Sequence, residues 1–144
     1  MINIPGQIDD YINSQPEMKR FDMELLHKLI TKLLPTGKLW YLDGKNSENK
    51  IVSNPNIGYG SFNIKYADGT FKEFYQIGMS ANKTGISIYI LGLEDKTYLP
   101  QKFAQKIGKA NVSGYCIKFK SLKDIHLNVL EEAISYGINA THKA

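Results

Sequence analysis

Cysteine, arginine and tryptophan are nearly missing: Cys116, Arg20 and Trp40 are single occurrences in a chain of 144 residues. A lone cysteine excludes an intramolecular disulfide framework and any metal site built on several thiolates, and it suits a reducing compartment. No apolar run approaches the roughly 18 residues of a membrane span, so no membrane partner is expected. The opening residues Met1-Ile2-Asn3-Ile4-Pro5-Gly6 carry neither the cationic nor the apolar segment of a secretory signal, which points to a cytoplasmic protein. Internal repeats and low-complexity segments are absent too.

The charge excess is mild. Eighteen basic and 14 acidic residues give a net charge of +4, spread along the whole chain. Nucleic-acid binders concentrate Lys and Arg on one face, and with a single arginine and no long basic run that class is disfavoured. A hydrophobic fraction of 42% and a charged fraction of 22% are those of a globular protein. The length fits one domain over 1–144, with a core at about 8–137 and a frayed tail at 138–144.

Asp9, Tyr11 and Ile12 mark a short amphipathic segment. Ser14-Gln15-Pro16-Glu17 then has the form of a capping box, which predicts a helix start. Met18, Phe21, Leu25, Leu29 and Leu33 recur at helical spacing, widened by Leu26 and Ile30, opposite a charged face of Lys19, Arg20, Glu24, Lys28 and Lys32. Pro35 and Gly37 end the helix. From Leu39 to Leu91 the period changes to two, with Phe62, Ile64 and Tyr66 on one side of a strand. Asp68-Gly69 predicts a tight turn pairing Gly58–Tyr66 with Phe71–Met79. Ser80–Gly85 is read as the next turn, Ile86, Ile88 and Ile90 as a strand, and Leu39–Leu42 as an earlier one. Pro100 opens a short helix that Gly108 stops, and Tyr115–Lys120 is a further strand. Asp124 caps a last helix whose stripe is Leu127, Leu130, Ala133 and Ile134, with Gly137 as its stop. The expected class is α+β: a mostly antiparallel sheet of about five strands with N- and C-terminal helices packed on one face.

Motifs for catalysis are equally scarce. His27, His126 and His142 are dispersed, and none has an i, i+4 histidine partner for a metal. Ser61 lacks the second glycine of a nucleophile elbow. Gly58-Tyr59-Gly60 lies inside a strand and not between a strand and a helix, so a bulge or a close backbone approach explains it better than a dinucleotide loop. Two glycine–lysine turns remain: Ser80 with Lys83 after Gly78, and Gly108-Lys109 leading to Gly114 and Cys116. Free backbone N–H groups beside an ammonium suit a small anion, with Lys83 and Lys109 expected at one concave patch next to Tyr89 because their turns flank strands of one sheet edge, whereas plain turn chemistry accounts for the same residues. Cys116 is either a small buried apolar residue or a reactive thiol; the latter requires a basic neighbour such as Lys109 or Lys118 to depress its pKa. No cofactor is expected.

The ordered series Gly58 to Ser61, Lys65-Tyr66, Gly69, Gly78 to Lys83, Tyr89-Ile90, Gly108-Lys109 and Gly114 to Cys116 resembles the bacterial family known as domain of unknown function 1801, or YdhG-like, from about Ile8 to Gly137. The resemblance implies an α+β fold with terminal helices beside an antiparallel sheet. It also implies a frataxin-like branch that handles iron through an acidic ridge on a first helix. Here Glu17, Asp22 and Glu24 are interrupted by Lys19, Arg20, Lys28 and Lys32. Relatives often carry further basic residues where this chain has Ala81-Asn82, Ala110-Asn111 and Tyr115. The leading expectation is a non-enzymatic binding module for a small anion or a protein partner, contacted by Lys83, Lys109, Tyr66, Tyr89 and Ser80. An iron chaperone and a thiol enzyme using Cys116 are the alternatives.

Overall fold

The computed structural model describes residues 3–141, so His142 and the end of the tail lie outside the described residues. Helix α1 spans Ile4–Asn13, where the Asn3 side chain accepts from Gly6 N at 3.1 Å and a proline occupies the first turn. Ile8, Tyr11 and Ile12 are its buried face. Helix α2 follows at Glu17–Leu33. The expected capping box does not form, because the Ser14 hydroxyl is used to close α1, donating to Tyr11 O at 2.6 Å, and Pro16 enters α2 without a side-chain cap.

The buried face of α2 is also rotated from the expected one. Met23, Leu26 and Ile30 are fully buried, whereas Met18, Phe21 and Leu25 are 64%, 57% and 45% exposed. Both rows have helical spacing, so periodicity marks a broad apolar arc. Which edge of that arc is covered depends on the elements packed against it, and α1, the sheet and the last helix cover the Met23 row.

Strands β1 (Leu39–Leu42), β2 (Asn56–Tyr59), β3 (Phe62–Lys65), β4 (Phe71–Phe74), β5 (Ile77–Asn82) and β6 (Gly85–Ile90) come next. Helix α3 (Tyr98–Phe103), strands β7 (Ala110–Val112) and β8 (Cys116–Phe119), a 3₁₀ turn at Leu122–Asp124 and helix α4 (Leu127–Thr141) complete the chain. The fold is α+β, with a six-stranded antiparallel sheet in the order β1-β2-β5-β6-β8-β7 and a two-stranded β3-β4 ribbon. The additional strand is β7, just three residues at the edge of the sheet.

The ribbon continues the β2-β5 pairing in the same frame, from Tyr59↔Ile77 to Phe62↔Phe74. Gly60, at φ +74°, interrupts it. The ribbon closes about Asp68-Gly69, where Gly69 N donates to Tyr66 O and the Asp68 carboxylate accepts from both Thr70 N and Thr70 Oγ1. Asp68 is held below the usual carboxylate range by those two bonds.

One sheet face, carrying Ile57, Tyr59, Ile77, Met79, Ile86, Ile88, Ile90, Ile117 and Phe119, packs into a single core with the helices. The opposite face carries a cross-strand row of Trp40, Gly58, Gly78, Tyr89 and Cys116. The Tyr75 ring lies flat across the two glycines: a Cβ on Gly78 would stand 2.5 Å from Tyr75 Cε1, and one on Gly58 2.6 Å from Tyr75 Cδ2. Phe74 packs against Tyr75 with ring centroids 4.2 Å apart and ring planes tilted by 35°.

Three boundaries at the C-terminal end differ from those expected. Asp124 belongs to the 3₁₀ turn, and α4 starts at Leu127, where the His126 carbonyl accepts from Val129 N and Leu130 N. Gly137 does not stop the helix; it lies inside α4, packed so closely on Ile90 that a Cβ there would collide with it. Residues 138–141 continue the helix because the buried Gln76 amide donates to Ile138 O at 3.2 Å and Thr141 Oγ1 at 2.6 Å. Ser80 is likewise not in a turn. It is a buried residue of β5 donating to Pro55 O at 2.6 Å, and the β5-β6 turn proper is Lys83-Thr84.

Candidate functional site

Asn82 builds the β5-β6 turn. Its side-chain oxygen accepts from Thr84 N and Thr84 Oγ1, each at 2.9 Å, while its amide donates to Ser87 Oγ at 2.9 Å, so Lys83 stands on a short, internally braced tip. Lys19, from the first turns of α2, donates to Asn82 O at 2.6 Å and ties the helix to that tip. The neighbouring wall is made in the same manner. Gly108, at φ +106°, lets the chain turn so that Lys109 N donates to Asp124 O at 3.0 Å, while His126 N donates to Ile107 O at 2.7 Å. Asp22 of α2 accepts from Leu122 N at 3.1 Å and fixes the segment leaving β8.

These anchors enclose an open cleft of about 750 Å³, within the size range of small-ligand sites. Lys19, Lys83, Lys109, Lys120 and Lys123 line it against two carboxylates, Asp22 and Asp124. None of the five lysines forms an ion pair with a described residue; the ion pairs present are Lys38–Glu73, Lys50–Glu48 and Lys106–Glu132. Asp22 is already engaged by the Leu122 amide. Ser121 Oγ, also on the wall, is shielded from solvent and has no hydrogen-bond partner among the described residues. The local field is positive, and donors outnumber acceptors. Such a cleft favours anions, because lysine ammonium groups supply both countercharge and hydrogen bonds.

Lys83 and Lys109, expected from the sequence to meet at one concave patch next to Tyr89, do line one cavity, but Tyr89 is not part of it. The other expected contacts are elsewhere. Tyr66 is 45% exposed in the ribbon turn, at the opposite end of β5 from the cleft. Ser80 faces Pro55. Tyr89 is paired with Cys116 on the sheet face away from the helices. Sequence reasoning missed Lys19, assigned to a solvated helix face, and Lys120 and Lys123. The signal for the last two was the lysine density of Lys118, Lys120 and Lys123 where β8 ends.

Cys116 is 4% exposed. Burial pushes its thiol pKa up, with nearby Lys118 opposing, so the surroundings favour the thiol over the nucleophilic thiolate. Burial also raises Tyr89, with Cys116 adding to the shift, and pushes Tyr75 up to about 12. This row can supply hydroxyl and thiol donors but holds back anionic nucleophiles at neutral pH. On the helix side, His27 Nδ1 lies 2.8 Å from the hydroxyl of Tyr59, which is 1% exposed and has no other hydrogen-bond partner among the described residues. Burial keeps the Tyr59 phenol protonated, and the direction of its hydrogen bond with His27 is set by the imidazole tautomer. Burial lowers the His27 pKa, with Asp9 opposing.

Among the described residues no group of three or more His, Cys, Asp or Glu comes together that could hold a metal, and no helix is long and apolar enough to cross a membrane. No family model matches the chain, and no match was found among curated proteins or solved structures.

Proposed function

We propose that this protein is a binding module for a small anionic ligand bearing phosphate or carboxylate groups, held in the cleft between the start of α2, the β5-β6 turn and the segment after β8. The observation that carries the reading is the convergence of five lysines, none paired with a carboxylate among the described residues, on one cavity holding two aspartates. Lys83 and Lys109 are the ligand contacts retained from the sequence; Lys19, Lys120 and Lys123 join them. The site is pre-formed, because both lysine-bearing turns and the α2 contact are fixed by hydrogen bonds that involve no ligand. Pre-formation lowers the ordering cost of binding. A binding role also agrees with the buried, thiol-favouring setting of Cys116.

A ligand that binds only the folded chain raises its stability by about 2.7 kcal/mol at 100 times Kd. Thermal unfolding with increasing phosphate or citrate, against sodium chloride at equal ionic strength, should therefore show a concentration-dependent rise. The Lys83→Ala/Lys109→Ala double variant should lose most of it. An equal shift in that variant, or in sodium chloride alone, would remove the cleft from consideration.

A further inference from the structure

A second hollow of about 370 Å³ adjoins the cleft, and Lys109, Lys120 and Thr84 line both. The two are thus one continuous surface, running from the start of α2 across the β5-β6 turn to Lys118 and Asn111 on the outer face of the sheet. Lys118 adds a sixth lysine and no carboxylate is gained, so six lysines face two aspartates, an excess of four. A terminal phosphate carries about −1.5 to −2 at pH 7 and would leave about half of that excess uncompensated. Like charges lining one surface repel one another, and a ligand spanning both hollows relieves more of that repulsion than a single ion does.

Resting on the anion-binding reading of the same cleft, we propose that its ligand is an oligophosphate, a chain of at least two linked phosphate groups. Lys109 and Lys120, on the shared wall, contact the middle of the chain. Lys83 and Lys123 hold the end in the larger hollow, and Lys118 holds the end in the smaller one. The length of the ligand, and not only its charge, is what this surface reads.

Isothermal titration with orthophosphate, pyrophosphate and tripolyphosphate at constant ionic strength tests this directly. Affinity is expected to rise about tenfold or more from the first to the third, equivalent to about 1.4 kcal/mol or more. Lys109→Ala should weaken all three. Lys118→Ala should weaken tripolyphosphate several-fold while leaving orthophosphate unchanged, because only the longer ligand reaches the smaller hollow. Lys28→Ala/Lys32→Ala, on exposed α2 positions away from both hollows, should change nothing. Equal affinity for the three ligands, or an equal Lys118→Ala effect on all of them, overturns the oligophosphate assignment and leaves a single-anion cleft. A loss in Lys28→Ala/Lys32→Ala as large as in Lys109→Ala overturns it in favour of unspecific charge attraction. Failure of all three ligands to bind overturns the anion reading itself.

Discussion

Substituting Gly78 by alanine tests how the sheet face away from the helices is built. The added Cβ would lie 2.5 Å from Tyr75 Cε1, 2.9 Å from Cζ and 3.0 Å from the hydroxyl, against a ring only 4% exposed and backed by Phe74. The ring must lift or the strands must part, and overpacking of this kind costs roughly 1–3 kcal/mol. Relief of glycine's entropic cost in a strand returns about 0.5–1 kcal/mol, so a net loss is expected. Tyr75→Ala alone removes a buried aromatic and should cost about 3–5 kcal/mol. In that background the Gly78→Ala collision is gone, and the second substitution should become neutral or slightly stabilising. The cycle should thus show a coupling of roughly 1–3 kcal/mol by urea unfolding with unchanged slope. Gly58→Ala supplies an internal contrast. Its Cβ also meets Trp40 Cβ at 2.8 Å, so part of its penalty should survive removal of Tyr75. Additive losses at Gly78, or none, would refute the close approach of the ring to the glycines.

Two further expectations concern titratable groups. The folded-state pKa of His27 lies below the ordinary histidine value of 6.5, so the unfolded chain takes up a proton first as pH falls; the contribution is fully present above about 6.5 and is lost as pH drops through the folded value. Urea midpoints measured between about pH 5 and 7.5 should fall more steeply for the wild type than for His27→Gln, and parallel profiles would contradict the burial argument. Cys116 should react with a disulfide reagent more slowly in the folded protein than in urea at pH 7.5, because burial both shields the thiol and disfavours the thiolate; equal rates would reopen the reactive-thiol reading.

Much of the architecture was legible where local chemistry and hydrophobic period agree. The ribbon about Asp68-Gly69 follows from turn preference and alternation together, and the strand at Ile86, Ile88 and Ile90 from alternation alone. What escaped was settled by contacts far apart in sequence. Gly137 has the signature of a helix stop, yet it is a packing site for Ile90, and Gln76 holds the helical turn beyond it. Met23 outranks Met18 in burial because of what lies against α2. Strand β7 is three residues, too short to display a period. Within the site, the glycine–lysine turns drew attention to Lys83 and Lys109. Their meeting at one patch was expected from neighbouring strands, but the make-up of that patch depends on β5-β6 pairing, β6-β8 pairing and the Asp124–Lys109 contact, which bring in α2 and the segment after β8 and leave Tyr89 out. Tyr66, Ser80 and Tyr89 belong to the same ordered series of short motifs but are dispersed by that topology.

The most direct measurement is a two-dimensional ¹H–¹⁵N titration with inorganic phosphate at constant ionic strength. Anion binding in the cleft predicts saturable shifts concentrated on the amides of Lys83, Thr84, Lys109, Ser121 and Lys123, with little change at Lys28, Lys32 or Lys102. Shifts spread evenly over the exposed lysines, or centred on the Tyr89–Cys116 row, would contradict it.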